Sequence, residues 1–251
     1  MSVECFKEAV ASMSGWPGVV ALFGGNPCVH PLFPELCHIL TKAFPVHQRG
    51  LWTNNLMKHG EVAAQTFTGG RLNLNAHGDA LAAMTIERYF PGQLIAGSER
   101  QSSWHSGILM NHTDFGITAA DWTAVRERCD INQHWSGAIV EREGKPYGYF
   151  CEVAASLDGV SGLNNGVAAY PGWWKLPMNA FGDQVRNCCD RGCGVPLRVK
   201  GNLDNQETYD VSQSWRDLLK FRTGGDARLV VHGQPMVERC NMATDYMRRV
   251  Q

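Results

Sequence analysis

Cys129, Cys151 and the pair Cys189-x-x-x-Cys193 are the residues of this chain best suited to chemistry. Five of its nine cysteines, these four and Cys188, fall within one third of the sequence; Cys5, Cys28, Cys37 and Cys240 are scattered. A chain of 251 residues does not need disulfides to be stable, and clustered thiols in a reducing compartment more often bind metal or react. Four thiolates from a hairpin and a helix end suit an iron–sulfur cluster, with zinc as the alternative on ligand type. Cys188 is an alternative to Cys189, because adjacent side chains on a turn point in different directions. The plain alternative is that these cysteines are small buried hydrophobes, as free cysteines often are.

A second candidate lies at Gly18 to Leu36. Val19 to Phe23 is an unbroken apolar run that reads as a strand buried on both faces of a parallel sheet. It stops at Gly24-Gly25, where the backbone can take positive φ and a ligand can approach bare peptide groups, and Asn26-Pro27 stiffens the exit. Polar residues also end the next strands: Thr53-Asn54-Asn55 after Val46 to Asn54, and Asn75 and His77 after the alternating Gly70 to His77. Asn111-His112-Thr113-Asp114 follows a short strand expected at Gly107 to Asn111.

The elements that must position these residues alternate. A helix capped by Ser2 runs to Met13, a second has Pro34 in its first turn, and a third runs from Asp79 to Phe90. Strand and helix alternating over about 118 residues predict a parallel sheet with ligands at the strands' carboxyl ends. From Asp121 the pattern changes to a helix ending at Cys129 and a hairpin from Trp135 to Cys151 with its turn at Gly144-Lys145-Pro146. Loop-rich sequence follows, then a short helix from Ala180 to Asn187 leading into the paired cysteines. A helix at Ser212 to Phe221 and a strand at Arg228 to His232 close the chain. The fold class expected is α/β.

Composition narrows the classes. The 23 basic and 24 acidic residues nearly cancel, so no broad field draws the chain to nucleic acid or an anionic membrane. No apolar run approaches twenty residues and no secretory signal opens the sequence, so the cytoplasm is the expected compartment.

The stretch Gly-Gly-Asn-Pro followed by Pro34-Glu-Leu resembles the second strand of radical S-adenosylmethionine enzymes, where Gly-Gly-Glu-Pro holds the methionyl amino group of the cofactor. Asn26 stands where that family usually has Glu, which puts a neutral carbonyl in place of a carboxylate. Thr53-Asn54-Asn55 is similar to the family's Thr-Asn-Gly. The resemblance implies a cofactor site of Gly24, Gly25, Asn26, Pro27, Thr53, Asn75 and His77. The order of a cysteine, a hairpin, a cysteine and a spaced pair also resembles the family's Twitch or SPASM-type auxiliary domain. That implies a [4Fe–4S] cluster on Cys129, Cys151, Cys189 and Cys193. Residues 1–118 would then be an incomplete (βα) barrel lacking its first strand, with one sheet edge left open near Val19 to Phe23, 119–199 the auxiliary domain and 200–251 a carboxyl-terminal extension.

The Cys-x-x-x-Cys-x-x-Cys loop with which that family reduces its cofactor is missing here. The resemblance therefore implies either an incomplete chain or a relative that kept the scaffold and lost the radical chemistry. A complete version would act by a 5′-deoxyadenosyl radical on a small molecule or peptide, supplied by an electron donor. From other classes stand a non-catalytic module stabilised by zinc or a cluster, and an unrelated transferase with a nucleotide over Gly24-Gly25. No Asp-x-Asp or phosphate-binding lysine loop supports the last.

Overall fold

The computed structural model describes residues 1–24, 26–95, 109–127, 129, 137–195 and 211–223. They form a mixed α/β protein with two three-stranded sheets. Two compact units divide the chain: one holds residues 1–101, 140–147 and 168–175, the other 102–139, 148–167 and 176–251. No helix among the described residues is long and apolar enough to cross a membrane.

In the first unit, β1 (Val20–Leu22), β2 (Arg49–Thr53) and β3 (Arg71–Leu74) are parallel and lie in the order β1-β2-β3. Leu94 extends the order by a parallel bridge to Leu74. Four helices accompany them: α1 (Val3–Ser12), α2 (Phe33–Ala43), α3 (Gly60–Phe67) and α4 (Ala80–Tyr89). Each packs on the next, so sheet and helices wind in one direction with no reversal.

Local chemistry explains these elements. The Ser2 hydroxyl accepts from the Cys5 N–H, and one Asp79 carboxylate oxygen accepts from the Leu81 and Ala82 N–H groups at 2.9 and 3.0 Å, satisfying helix-start donors that have no partner within the helix. Phe33, Leu36, Cys37 and Leu40 recur at helical spacing and bury the inner face of α2. Arg49 does the corresponding work at helix ends. Its guanidinium donates to the carbonyls of Thr41, Phe44 and Thr66, so a cation at the start of β2 satisfies the carboxyl ends of α2 and α3. Gly60 lets α3 meet α4, since a Cβ there would stand 2.2 Å from the Tyr89 ring.

Several expectations are corrected. The first strand is only three residues long and is not buried on both faces, with Val19 39% and Phe23 48% exposed; the open sheet edge expected near Val19 to Phe23 is present, since among the described residues β1 pairs with β2 alone. The expected strand at 107–111 is reduced, among the described residues, to a bridge between Leu109 and Cys193, and that bridge is antiparallel. Asn111 to Asp114 therefore does not end a parallel strand: it opens a 3-10 turn, His112–Phe115, in the second unit. The hairpin β4 (Ala138–Arg142) and β5 (Lys145–Tyr149) turns at Glu143-Gly144, both at positive φ, and not at Gly144 to Pro146. β6 (Val167–Ala168) completes the second sheet in the order β4-β5-β6. Helices at Gly60–Phe67 and Glu152–Ser161 stand where no helix was expected. The strand expected at 228–232 lies outside the described residues.

Leu51 sits on central strand β2 and is fully buried. Leu51→Ala is expected to cost about 2–5 kcal/mol in urea unfolding. Leu81→Gln, on a side chain 73% exposed, should stay within about 0.5 kcal/mol of the parent.

Candidate metal centre

The second unit builds a cavity of about 710 Å³ that all five clustered cysteines line. Cys129 follows the helix Ala119–Glu127, and Cys151 is the residue before the helix Glu152–Ser161. The remaining three come from a nearly unbroken helical run. It passes from a 3-10 turn (Met178–Phe181) through α (Gly182–Gln184) into a π turn (Val185–Cys189) and back to α (Asp190–Gly192). A π turn inserts a residue into the helix and re-aims the side chains after it, and such turns are frequent at functional sites. Here it carries Cys188 and Cys189, and the Cys193 N–H donates to the Cys188 carbonyl at 3.0 Å.

Polar contacts next to each cysteine hold these pieces of chain in register. Gln184 is fully buried; its Oε1 accepts from the Phe150 N–H at 3.1 Å, and its Nε2 donates to the carbonyls of Gly148 at 3.1 Å and Asn165 at 3.0 Å. This joins the segment before Cys151 to the helical run that bears Cys188 and Cys189. Buried Asp158 gathers the Tyr149 hydroxyl and both the backbone and side-chain N–H groups of Asn165, whose Oδ1 accepts from Asn187. On the other side, the Trp122 indole N–H donates to the Cys189 carbonyl at 3.0 Å, and Arg126 pairs with Asp190. His112 lies parallel to the Trp122 ring with centroids 4.6 Å apart, and its burial lowers its pKa. Near Cys193, the Trp215 N–H donates to the Gly192 carbonyl at 2.8 Å.

The thiols share one electrostatic environment. Burial pushes Cys151 up to about 11, with the Ala154 and Val153 N–H groups opposing it and the charge of Cys129 adding to it. Cys189 rises further through burial, then through Cys151, Cys188, Asp190 and Cys129. Cys193 is raised by burial and by Cys189, Cys151 and Cys129. Each of these thiolates is thus disfavoured by its neighbours, a condition that a bound cation reverses. The Cys188 S–H points to the Ala154 carbonyl at 3.5 Å, and its charge adds to the rise at Cys189. Among the described residues no three Cys, His, Asp or Glu side chains close on a single point to hold one ion.

In the first unit, the strand ends bring some of the expected residues together. Asn26 Oδ1 accepts from the Cys28 N–H at 3.0 Å and from the Thr53 hydroxyl at 2.6 Å, so the ends of β1 and β2 are tied. The Asn75 N–H donates to the Thr53 carbonyl at 3.2 Å, while Asn75 Oδ1 accepts from the His77 N–H at 3.0 Å. His77 is exposed and at positive φ; Gly24 is at φ 102° with open space where a Cβ would stand; Pro27 begins a 3-10 turn. Gly25 lies outside the described residues. Gln184, Trp122 and Arg126 were missed in the sequence. The Gln and Arg carried no motif, and Trp122 looked like one more apolar residue of an amphipathic helix.

Set against known protein-family models, curated proteins and solved structures, the chain matches none.

Gln184→Leu would strand a buried N–H and two carbonyls. Each group left unpaired costs on the order of 1–3 kcal/mol, so urea unfolding should show a larger loss than Leu51→Ala produces per atom removed. Near-ultraviolet circular dichroism from Trp122 should weaken with it. Asn187→Ala, which removes only one hydrogen bond at the edge of the network, should cost roughly 1 kcal/mol.

Proposed function

We propose that this chain is an iron–sulfur protein built on the plan of the radical S-adenosylmethionine enzymes, with a [4Fe–4S] cluster on Cys129, Cys151, Cys189 and Cys193. The observation that carries the reading is the single cavity lined by all four thiols, which come from three separate pieces of chain. Packing alone gives no reason for cysteines so far apart in sequence to face one space. A cluster suits thiols spread around a cavity better than zinc does, because its irons stand apart while a lone ion needs every sulfur near one centre. When bound, the cluster would supply one-electron chemistry; the residues of the chain hold it, exclude water and set its charge surroundings.

The first unit supports the rest of the reading. Parallel strands in rising order with one layer of helices wind as the wall of a (βα) barrel winds, and a partial barrel is the finer fold we propose. S-adenosylmethionine would lie over the ends of β1 to β3, against Gly24, Gly25, Asn26, Pro27, Thr53, Asn75 and His77. Asn26 Oδ1 already holds two donors, but the Thr53 hydroxyl also lies 2.9 Å from the Asn55 carbonyl. Turning that one hydrogen to Asn55 leaves Asn26 a lone pair for an ammonium group. The 251 residues carry no Cys-x-x-x-Cys-x-x-Cys run, so the reading assigns cluster and cofactor binding to them, and not cleavage of the cofactor. A small-molecule or peptide substrate, an electron donor and a cytoplasmic setting belong to the same proposal.

Anaerobic treatment with iron and sulfide should turn the protein brown, through thiolate-to-iron charge transfer. Cys129→Ser, Cys151→Ser and Cys193→Ser should each lose the colour, whereas Cys5→Ser and Cys37→Ser should keep it. Of the neighbouring pair, Cys189→Ser should lose it and Cys188→Ser keep it. A colourless protein that retains zinc would instead support the zinc-stabilised module. For the cofactor, calorimetry should detect S-adenosylmethionine binding. Asn26→Ala should weaken it by on the order of 1.5–3 kcal/mol, roughly ten- to hundredfold. Unchanged affinity would remove Asn26 from the site.

A further inference from the structure

The cavity that holds the thiols also holds an ion pair. Arg126 lies three residues before Cys129, Asp190 directly follows Cys189, and their side chains are joined at the cavity wall. Both are partly buried, with 27% and 38% of their side chains exposed. The cavity's other guanidinium, Arg186, is 69% exposed and paired with Asp183, so water and salt screen it much more. Glu127 also lines the cavity, and Arg126 and Asp190 are its one pair of opposite charges joined beside the cysteines, among the described residues.

A cluster on four thiolates is a net anion, and reduction adds another negative charge. A nearby fixed cation favours the reduced form and a nearby fixed anion the oxidised one, with the protein's control over potential coming from net charge, hydrogen bonding and burial. The Trp122 hydrogen bond to the Cys189 carbonyl, from the turn before Arg126, fixes the helix of Arg126 against the helical run of Asp190. The pair is therefore held at the wall and does not swing on two free side chains.

We propose that the Arg126–Asp190 pair sets the reduction potential of the cluster, Arg126 raising it and Asp190 lowering it. This rests on the cluster reading above. The step concerned is uptake of one electron from an external donor, with no bond made or broken in the protein and no proton exchanged.

The test uses the full chain, reconstituted anaerobically with iron and sulfide, and protein-film voltammetry or a titration followed by electron paramagnetic resonance. Arg126→Gln should lower the midpoint potential and Asp190→Asn should raise it. The double variant should return close to the parent, Arg126→Lys should lie between the parent and Arg126→Gln, and Arg186→Gln should shift the potential less than either single change. Opposite signs with cancellation cannot come from loosened packing, which would move both single variants in one direction. If Arg126→Gln does not fold, Asp190→Asn and Arg126→Lys still give the two signs. Shifts of the same sign, or none, overturn the role of the pair while leaving the cluster reading standing. Failure of the parent chain to take up iron overturns the cluster reading itself.

Discussion

Buried Gln184 uses its carboxamide as both acceptor and donor, and the rest of the second unit depends on what it joins. It links the end of β5, the loop at Asn165 and the helical run that carries three cysteines. A primary amide out of water must satisfy both its oxygen and its nitrogen, and this one does so only when all three segments are in place. That requirement fixes where Cys151 stands relative to Cys189 and Cys193. Hydrophobic contact alone would allow the helix to slide by a fraction of a turn; three directional bonds do not.

The thiols impose the opposite tendency. Of the five cysteines around one cavity, Cys151, Cys189 and Cys193 resist ionisation, through burial first and neighbouring charge second. A site made only to pack would have no use for such crowding, since cysteine gives less apolar area than leucine or valine. The polar clamps hold the neutral thiols around the cavity, and a cation among them would favour the thiolates that burial and neighbours disfavour. This is the physical basis on which the cluster reading stands, and it explains why the clamps fall beside the cysteines: Gln184 next to the segment before Cys151, Trp122 and Arg126 before Cys129, Trp215 against Gly192.

Patterning made much of the first unit legible. The helices after Ser2 and at Asp79 begin where a capping oxygen meets helical spacing, and β2 and β3 lie within the expected runs. The helix Gly60–Phe67 was not legible, because its Gly, Thr and small residues give it little apolar contrast; the close approach of Gly60 to Tyr89 and the reach of Arg49 to Thr66 define it in three dimensions. The apolar run from Val19 to Phe23 reads as a strand buried on both faces, which it is not, while the open sheet edge expected there is present: among the described residues β1 pairs with β2 alone. In the second unit the cysteine spacing picked out thiols that line one cavity. The helix Glu152–Ser161 and the π turn that aim them did not show: Ala, Ser and Gly blur the first, and the second breaks the period by which helices are recognised.

Iron X-ray absorption on the anaerobically loaded full chain tests the central claim most directly, since it reports what surrounds the metal and not merely that metal is present. The account predicts sulfur as the only neighbour in the first shell and a second shell of iron, with about four irons and about four sulfides per chain by chemical analysis. Iron bound by oxygen or nitrogen with no iron–iron shell, or a chain that holds zinc and no iron, would contradict it.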